Sequence, residues 1–277
     1  MDGALRPRQR DPGAELMTNL RIFFVGGLTS YRALFGWLSP WILIPTFLFT
    51  PLFQILLFVF IGRTAGVSDD RFFLIGNAVV NAAIPCLFAM GNTIGGERNA
   101  GTLPLLIASP ASRVPLFLGR ALPVILNGFL VAVFALVVGS LLLRVDIPPA
   151  TWGGIAIAIA ACSVSCTGLG LLGAAIALRV RETAVLSNIV LGILIVFAGV
   201  NVPISAMPGW MQGVAGWLPM THGIEATHDL AAGHRLGEVG GALLTELALG
   251  AFYALLGLTL LRWLEWESRA KATLDTA

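Results

Sequence analysis

An all-α integral membrane protein is the fold class this sequence predicts, with six transmembrane helices, an N-terminal amphipathic interfacial helix, and outer re-entrant helices between spans five and six. Three observations predict it. Hydrophobic residues make up 57% of the 277 and charged residues 12%, with a mean hydropathy of +0.86, whereas an average soluble domain carries about 25% charged residues. Segments 39–61, 72–94, 116–143, 152–178, 184–202 and 241–264 are apolar, and each approaches or exceeds the ~20 residues a helix needs to cross a bilayer while satisfying its backbone amides internally. Basic residues are also unevenly spread. With the termini inside, the inner segments hold Arg6, Arg8, Arg10, Arg21, Arg32, Arg98, Arg113, Arg120, Arg179, Arg181, Arg262, Arg269 and Lys271, against Arg63, Arg71, Arg144 and Arg235 outside. Because Lys and Arg resist translocation, thirteen against four predicts both termini in the cytoplasm of a multi-pass cell-membrane protein. The net charge of +2 is then a topological signal, with no nucleic-acid partner implied.

Residues 1–16 read as a disordered cytoplasmic tail, polar and Arg-rich without the pattern of a cleavable signal, so the first span is expected to be retained. Residues 17–38 place Leu20, Phe23, Phe24, Leu28, Tyr31, Leu34, Phe35 and Leu38 on one helical face and Arg21, Arg32, Thr18 and Thr29 opposite, the pattern of a helix lying at the headgroups. Ser39-Pro40 breaks it from a single six-helix domain spanning 39–264, whose first span is expected to bend at Pro45 and Pro51. In the second span Asn77 and Asn81 share a face, as contacts between helices or as the lining of a substrate path. The fourth span is rich in small residues (Gly168, Gly170, Gly173, Ala174, Ala177) that let helices approach closely. Cys86, Cys162 and Cys166 all fall inside spans, where packing is the expected role.

Between the fifth and sixth spans, residues 202–240 are too apolar for an exposed linker and too Pro-broken for full spans. Short helices broken at Pro208 and Pro219 are expected, with Trp210 and Trp217 at headgroup level. His222, Glu225, His228 and Asp229 follow at helical spacing and read as a hydrated interfacial helix, no second set of metal ligands being in sight. Glu246, a turn or so inside the sixth span, is a candidate functional carboxylate. Residues 265–277 close the chain as a cytoplasmic tail.

No phosphate-binding loop, nucleophile elbow or zinc motif occurs, and no internal repeat is visible. The informative segment lies between spans two and three: Glu97-Arg98-Asn99-Ala100-Gly101-Thr102-Leu103-Pro104-Leu105-Leu106-Ile107-Ala108-Ser109-Pro110. An acidic-basic pair, Gly-Thr-Leu, a short apolar run and Ser-Pro in this position resemble the corresponding loop of type 2 ATP-binding-cassette (ABC) transporter permeases. Pro203-Ile204-Ser205-Ala206-Met207-Pro208-Gly209-Trp210 and Leu218-Pro219-Met220-Thr221-His222-Gly223-Ile224-Glu225 resemble the outer re-entrant region of the same family.

The resemblance implies a permease that pairs with a second copy, as homodimer or heterodimer, and couples to a separate P-loop ATPase that carries the ATP and Mg. It implies no cofactor or metal on this chain and no catalysis by it. Coupling would rest on Glu97, Arg98, Gly101, Thr102, Leu103, Leu105, Leu106, Ser109 and Pro110, with the apolar leucines anchored in an ATPase groove and the charges at its rim. Pro104 stands where the family often carries an acidic residue. Asn77, Asn81, Pro208, Trp210, Met211, Trp217 and Pro219 are the candidates for a substrate path or outer gate. The implied function is ATP-driven export of an amphipathic drug, antibiotic or lipid-linked glycan. Two other classes are expected to differ in their residues: an ion-coupled secondary transporter would use Glu246, Asn77 and Asn81, and a membrane-embedded enzyme would use His222, Glu225 and His228.

Overall fold

Runs of Leu, Val, Ile, Ala and Phe without polar interruption leave the backbone no partner but itself in lipid, and the structure is built accordingly from helices. The computed structural model describes residues 40–66, 69–99, 113–180 and 182–271, with Arg21, Val25 and Gly101. Its elements are α1 (Pro40–Thr64), α2 (Asp70–Asn99), α3 (Arg113–Leu143), α4 (Trp152–Ile176), α5 (Thr183–Phe197), α6 (Gly209–Ala215), α7 (Thr221–Ala231) and α8 (Gly240–Lys271). Single 3-10 turns at Pro149–Thr151 and Ile204–Ala206 complete them, and no strand occurs among the described residues. The amphipathic segment 17–38 lies outside the described residues apart from Arg21 and Val25.

Among the described residues, four helices are long and apolar enough to cross a membrane: Asp70–Asn92, Leu118–Leu143, Pro149–Ile176 and Gly240–Leu264. The apolar stretches Leu48–Thr64 and Thr183–Phe197 are shorter. The expected fifth segment, 184–202, is therefore cut back to 15 helical residues. At 1.5 Å per residue α5 is about 22 Å long, short of the ~30 Å hydrocarbon core. It stops because Gly199 takes a left-handed φ of +80°, the usual terminator of a helix C-terminus. Conversely, α2 and α8 run past the expected span ends, so Glu97 and Arg98 sit on the last turn of α2 and residues 265–271 continue α8 as helix. Pro45 and Pro51 fall inside α1, which passes through both.

The interior forms around α2 and α4, whose span windows are 78% and 67% buried, against 39% for α3 and 28% for α8. Helix α2 packs against α1, α3, α4 and α5, while α4 packs most extensively along α8. Small residues set those distances. A Cβ on Gly128 of α3 would meet the Ala82 carbonyl at 2.7 Å, and one on Gly250 of α8 would meet Ser165 Cα of α4 at 2.6 Å. Gly168 and Gly170 lie on two faces of α4, the first against the Gly250 carbonyl and the second against that of Cys86, whereas Gly173 has open space around it. Cys86, Cys162 and Cys166 are buried free thiols in this packing.

Candidate functional site

Charge arranges one end of the bundle. Arg71, in the first turn of α2, donates from Nη1 to the Ala231 carbonyl at 3.1 Å and from Nη2 to the Asp146 carbonyl at 3.0 Å. It thereby ties the α1–α2 turn, the α3–α4 connection and the C-terminus of α7 together. Arg63 pairs with Asp70 at 2.5 Å beside them. Arg63 and Arg71, two of the four arginines that the charge pattern assigns to the outside, thus flank the same α1–α2 turn. Elsewhere in the bundle, Arg179 just past α4 pairs with Glu267 of α8, and Thr183 donates to Asn92 at 3.1 Å.

Helix α7 is the element this end is organised around. Its residues Gly223, Ile224, Ala226, Thr227, Leu230 and Ala231 are buried at helical spacing. It lies antiparallel beside the first turns of α4, with Gly223 against Cys162 and Leu230 against Gly154. Of the four polar residues expected on a hydrated helix, Glu225 is exposed and His222 and Asp229 are half-buried, but His228 is turned inward. The His228 ring stacks on Phe72 at 4.8 Å and 9°, its Nε2 buried without a hydrogen-bond partner. Burial in this packed setting outweighs the nearby Asp69 carboxylate and pushes the His228 pKa down to about 4. The expectation fails there because α7 docks into the bundle and brings that side chain onto an aromatic face.

The N-terminus of α7 meets Glu246, which is fully buried one to two turns into α8. Its Oε1 accepts from the Met220 amide at 2.5 Å and from the Ser165 hydroxyl of α4, and Oε2 accepts from the Gly223 amide at 3.1 Å. A carboxylate sits at the positive end of α7 and a guanidinium at its negative end, so both ends of the helix dipole are matched by charge. Met220, the residue just before α7, adopts a left-handed φ of +78°, uncommon for a residue with a side chain, and is completely buried.

The asparagines form a second polar group. Asn77 is fully buried, donating from Nδ2 to the Phe73 carbonyl and to Asn201 Oδ1, both at 2.9 Å, and accepting from Gln54 at 3.3 Å. Asn81 donates to the Asn77 carbonyl at 2.6 Å and is 2% exposed. These partners join α1, α2 and the segment after α5. Of the gate candidates, Pro208, Trp210 and Trp217 are exposed, Met211 half-buried and Pro219 buried. Trp210 meets Phe197 edge-on at 6.0 Å, and the Trp217 carbonyl accepts from Tyr253 at 2.9 Å. Of the coupling candidates, Glu97 and Arg98 end α2 and Gly101 is exposed with φ +68°, while Thr102, Leu103, Leu105, Leu106, Ser109 and Pro110 lie outside the described residues. Ser165, Arg71, Gln54 and Tyr253 were not singled out from the sequence. Only Arg71 carried a usable signal, as a lone cation opening an apolar span.

Among the described residues no His, Cys, Asp or Glu cluster is arranged to hold a metal ion. No curated protein matches the chain. The family model of the ABC-2 type transporter matches residues 31–230, from before α1 to the end of α7. That stretch covers well over half of the chain and includes the Asn77 group, the α2 end and helices α6 and α7; the chain belongs to the ABC-2 type transporter family.

Proposed function

We propose that this ABC transporter permease subunit works in an ATP-driven exporter, moving an amphipathic drug, antibiotic or lipid-linked glycan outward across the cell membrane. The observation that carries the reading is the family match over 31–230. In this reading α1 and α5 complete six spans, the shorter α5 being continued by residues 198–202, and both termini face the cytoplasm. Helices α6 and α7 dip into the outer leaflet and return. At the cytoplasmic end, the last turn of α2 with Glu97 and Arg98 leads into Gly101 and the Leu103, Leu105, Leu106 stretch. That segment docks on a P-loop ATPase holding the ATP and Mg. A second permease, identical or not, completes the path, with Trp210, Met211 and Trp217 along its outer part.

The secondary-transporter reading is weaker, because Glu246 and Asn77 spend their side-chain polar atoms on partners within the chain, and Asn81 donates to the Asn77 carbonyl. The deciding experiment reconstitutes the chain in vesicles with and without a P-loop ATPase encoded beside it and follows efflux of a lipophilic fluorescent dye. Export that needs both the ATPase and ATP is expected. Dye movement driven by an ion gradient alone would overturn the reading in favour of a secondary transporter.

A further inference from the structure

The segment between α5 and α8 divides into two unlike halves. The first, residues 199–219, holds α6, in which only Ala215 is buried. This stretch begins anchored, with Val200 buried against Gly76 of α2 and Asn201 Oδ1 accepting from Asn77; from residue 202 on it meets the bundle through the Phe197–Trp210 contact, the Tyr253 hydroxyl on the Trp217 carbonyl, the His222 ring against the Gly216 carbonyl, and Leu218 against the core. The second half is α7, buried along one face and bound at both ends by the side chains of Arg71 and Glu246. A left-handed residue stands at each end of the first half, Gly199 at φ +80° and Met220 at φ +78°.

Glycine adopts that conformation freely, but methionine holds it only where its surroundings impose it. Glu246 supplies the imposing contact. Its carboxylate binds the Met220 amide and, three residues on, the Gly223 amide, so the left-handed turn and the first turn of α7 are fixed to α8 at once. Ser165 adds α4 to the same carboxylate. Below it α4 and α8 are in backbone contact at Gly168 and Gly250 and again where Gly257 meets Leu171 and Leu172. An element held this way moves with α4 and α8, whereas residues 202–219, most of them exposed, do not have to.

We infer that Glu246 is a positioning residue that locks Met220, so that the movable outer lid ends at residue 220 and α7 is a fixed part of the α4–α8 body. This deepens the exporter reading by limiting its gate to residues 202–219, since Val200 and Asn201 are held on α2, and it rests on that reading for the word gate but not for the lock. The test uses single cysteines in a background without Cys86, Cys162 and Cys166, in the complex with the ATPase. Reactive positions are Ile224→Cys on the buried face of α7, Gln212→Cys on α6 and, as a control for general loosening, Leu136→Cys, buried on α3.

An impermeant maleimide is expected to label position 212 readily and to leave 224 and 136 unlabelled. E246Q keeps the side chain's size but presents an amide N–H₂ to backbone donors. It should raise the rate at 224 at least tenfold with 136 unchanged, and E246D, which keeps an acceptor, should restore part of the protection. Should E246Q not accumulate, S165A serves in its place, with an expected two- to fivefold rise. No rise at 224 in the variant, or an equal rise at 136, overturns the lock. With ATP and vanadate the native chain should change its rate at 212 and keep 224 closed, and reactivity appearing at 224 would show that α7 moves. A rate at 212 indifferent to nucleotide counts against the ATP-driven reading, while the nucleotide-free comparison of E246Q with the native chain still decides the lock.

Discussion

Replacing Gly250 by alanine adds one methyl group, and the structure says where it goes. The new Cβ would lie 2.6 Å from Ser165 Cα, 3.0 Å from its Cβ and 3.2 Å from its amide nitrogen. Two of these are backbone atoms inside a helix and have no rotamer by which to yield. Ordinary contact begins near 3.4 Å, so α8 and α4 must part by about 0.8 Å at this level, enough to forfeit a quarter to a half of the dispersion energy of the atoms that separate. Overpacking of this kind costs about 1–3 kcal/mol. Glu246 lies one turn away on the same helix and is carried along. A similar displacement would take its 3.1 Å bond to the Gly223 amide beyond hydrogen-bond reach. Losing one bond to a charged group adds about 1.5–3 kcal/mol, and alanine's better helix propensity returns about 1 kcal/mol. The net expectation is about 2–5 kcal/mol, or roughly 4–10 °C in thermal midpoint for a chain of this size.

Gly192→Ala on α5 is the matched comparison, since nothing lies within 4 Å of that position. There only propensity acts, and the midpoint should hold or rise slightly. Thermal unfolding of the purified protein in one detergent, both variants against the native chain, measures the difference. Equal midpoints for the two variants, or Gly250→Ala above native, would refute the claim that backbone contact between α4 and α8 sets the position of Glu246.

Gly101→Pro should reduce co-purification of the ATPase at least tenfold without loss of membrane insertion, because proline's φ near −65° is incompatible with the +68° found there; Leu105→Asp should do the same, and unchanged capture of the ATPase by both variants would mean the stretch is only a connector. Arg71→Ala removes two charge-assisted bonds, to the Ala231 and Asp146 carbonyls, and should cost about 1–3 kcal/mol while raising maleimide reactivity of a cysteine at 231; a variant as stable and as closed as the native chain would show that α7 needs no C-terminal cap. His228 protonates near 4 in the fold and near 6.5 when unfolded, so stability is complete above pH 6.5, falls as pH drops toward 4 and levels off below it. That amounts to about 2 kcal/mol between pH 7 and pH 5, and His228→Phe, which keeps an aromatic ring against Phe72, should flatten the loss; identical pH profiles for the two proteins would remove His228 as its source.

The family's mark was legible because it is local. The run from Glu97 to Pro110 and the Pro-Trp-rich segment near 203–225 are contiguous strings, and the match over 31–230 agrees with reading them as one permease. The breaks at Pro208 and Pro219 were legible for the same reason, since a missing amide and a fixed φ act on their own neighbours, and α6 and α7 begin just after them. Glu246 was visible as an anomaly without a partner. Its partners lie 81, 26 and 23 positions away, and two of them are backbone amides, which every residue but proline carries and which leave no trace in composition. The two asparagines raised a choice between path and packing that spacing cannot decide, and the partners of Asn77, Gln54 and Asn201, lie 23 and 124 positions away.

By itself the amino-acid sequence determined that this chain lives in a membrane as helices. Hydropathy, charge and proline act through solvent and adjacent backbone, and those interactions are present wherever the residues are. Only the tertiary structure decided that α5 is short, that α7 is packed against α4 rather than floated at the surface, and that Glu246 and Arg71 hold its two ends. Each of those depends on which helices come within a few ångströms of each other. That is set by where glycine and alanine let backbones approach, and by bonds to amides and carbonyls that become particular only once the chain has folded.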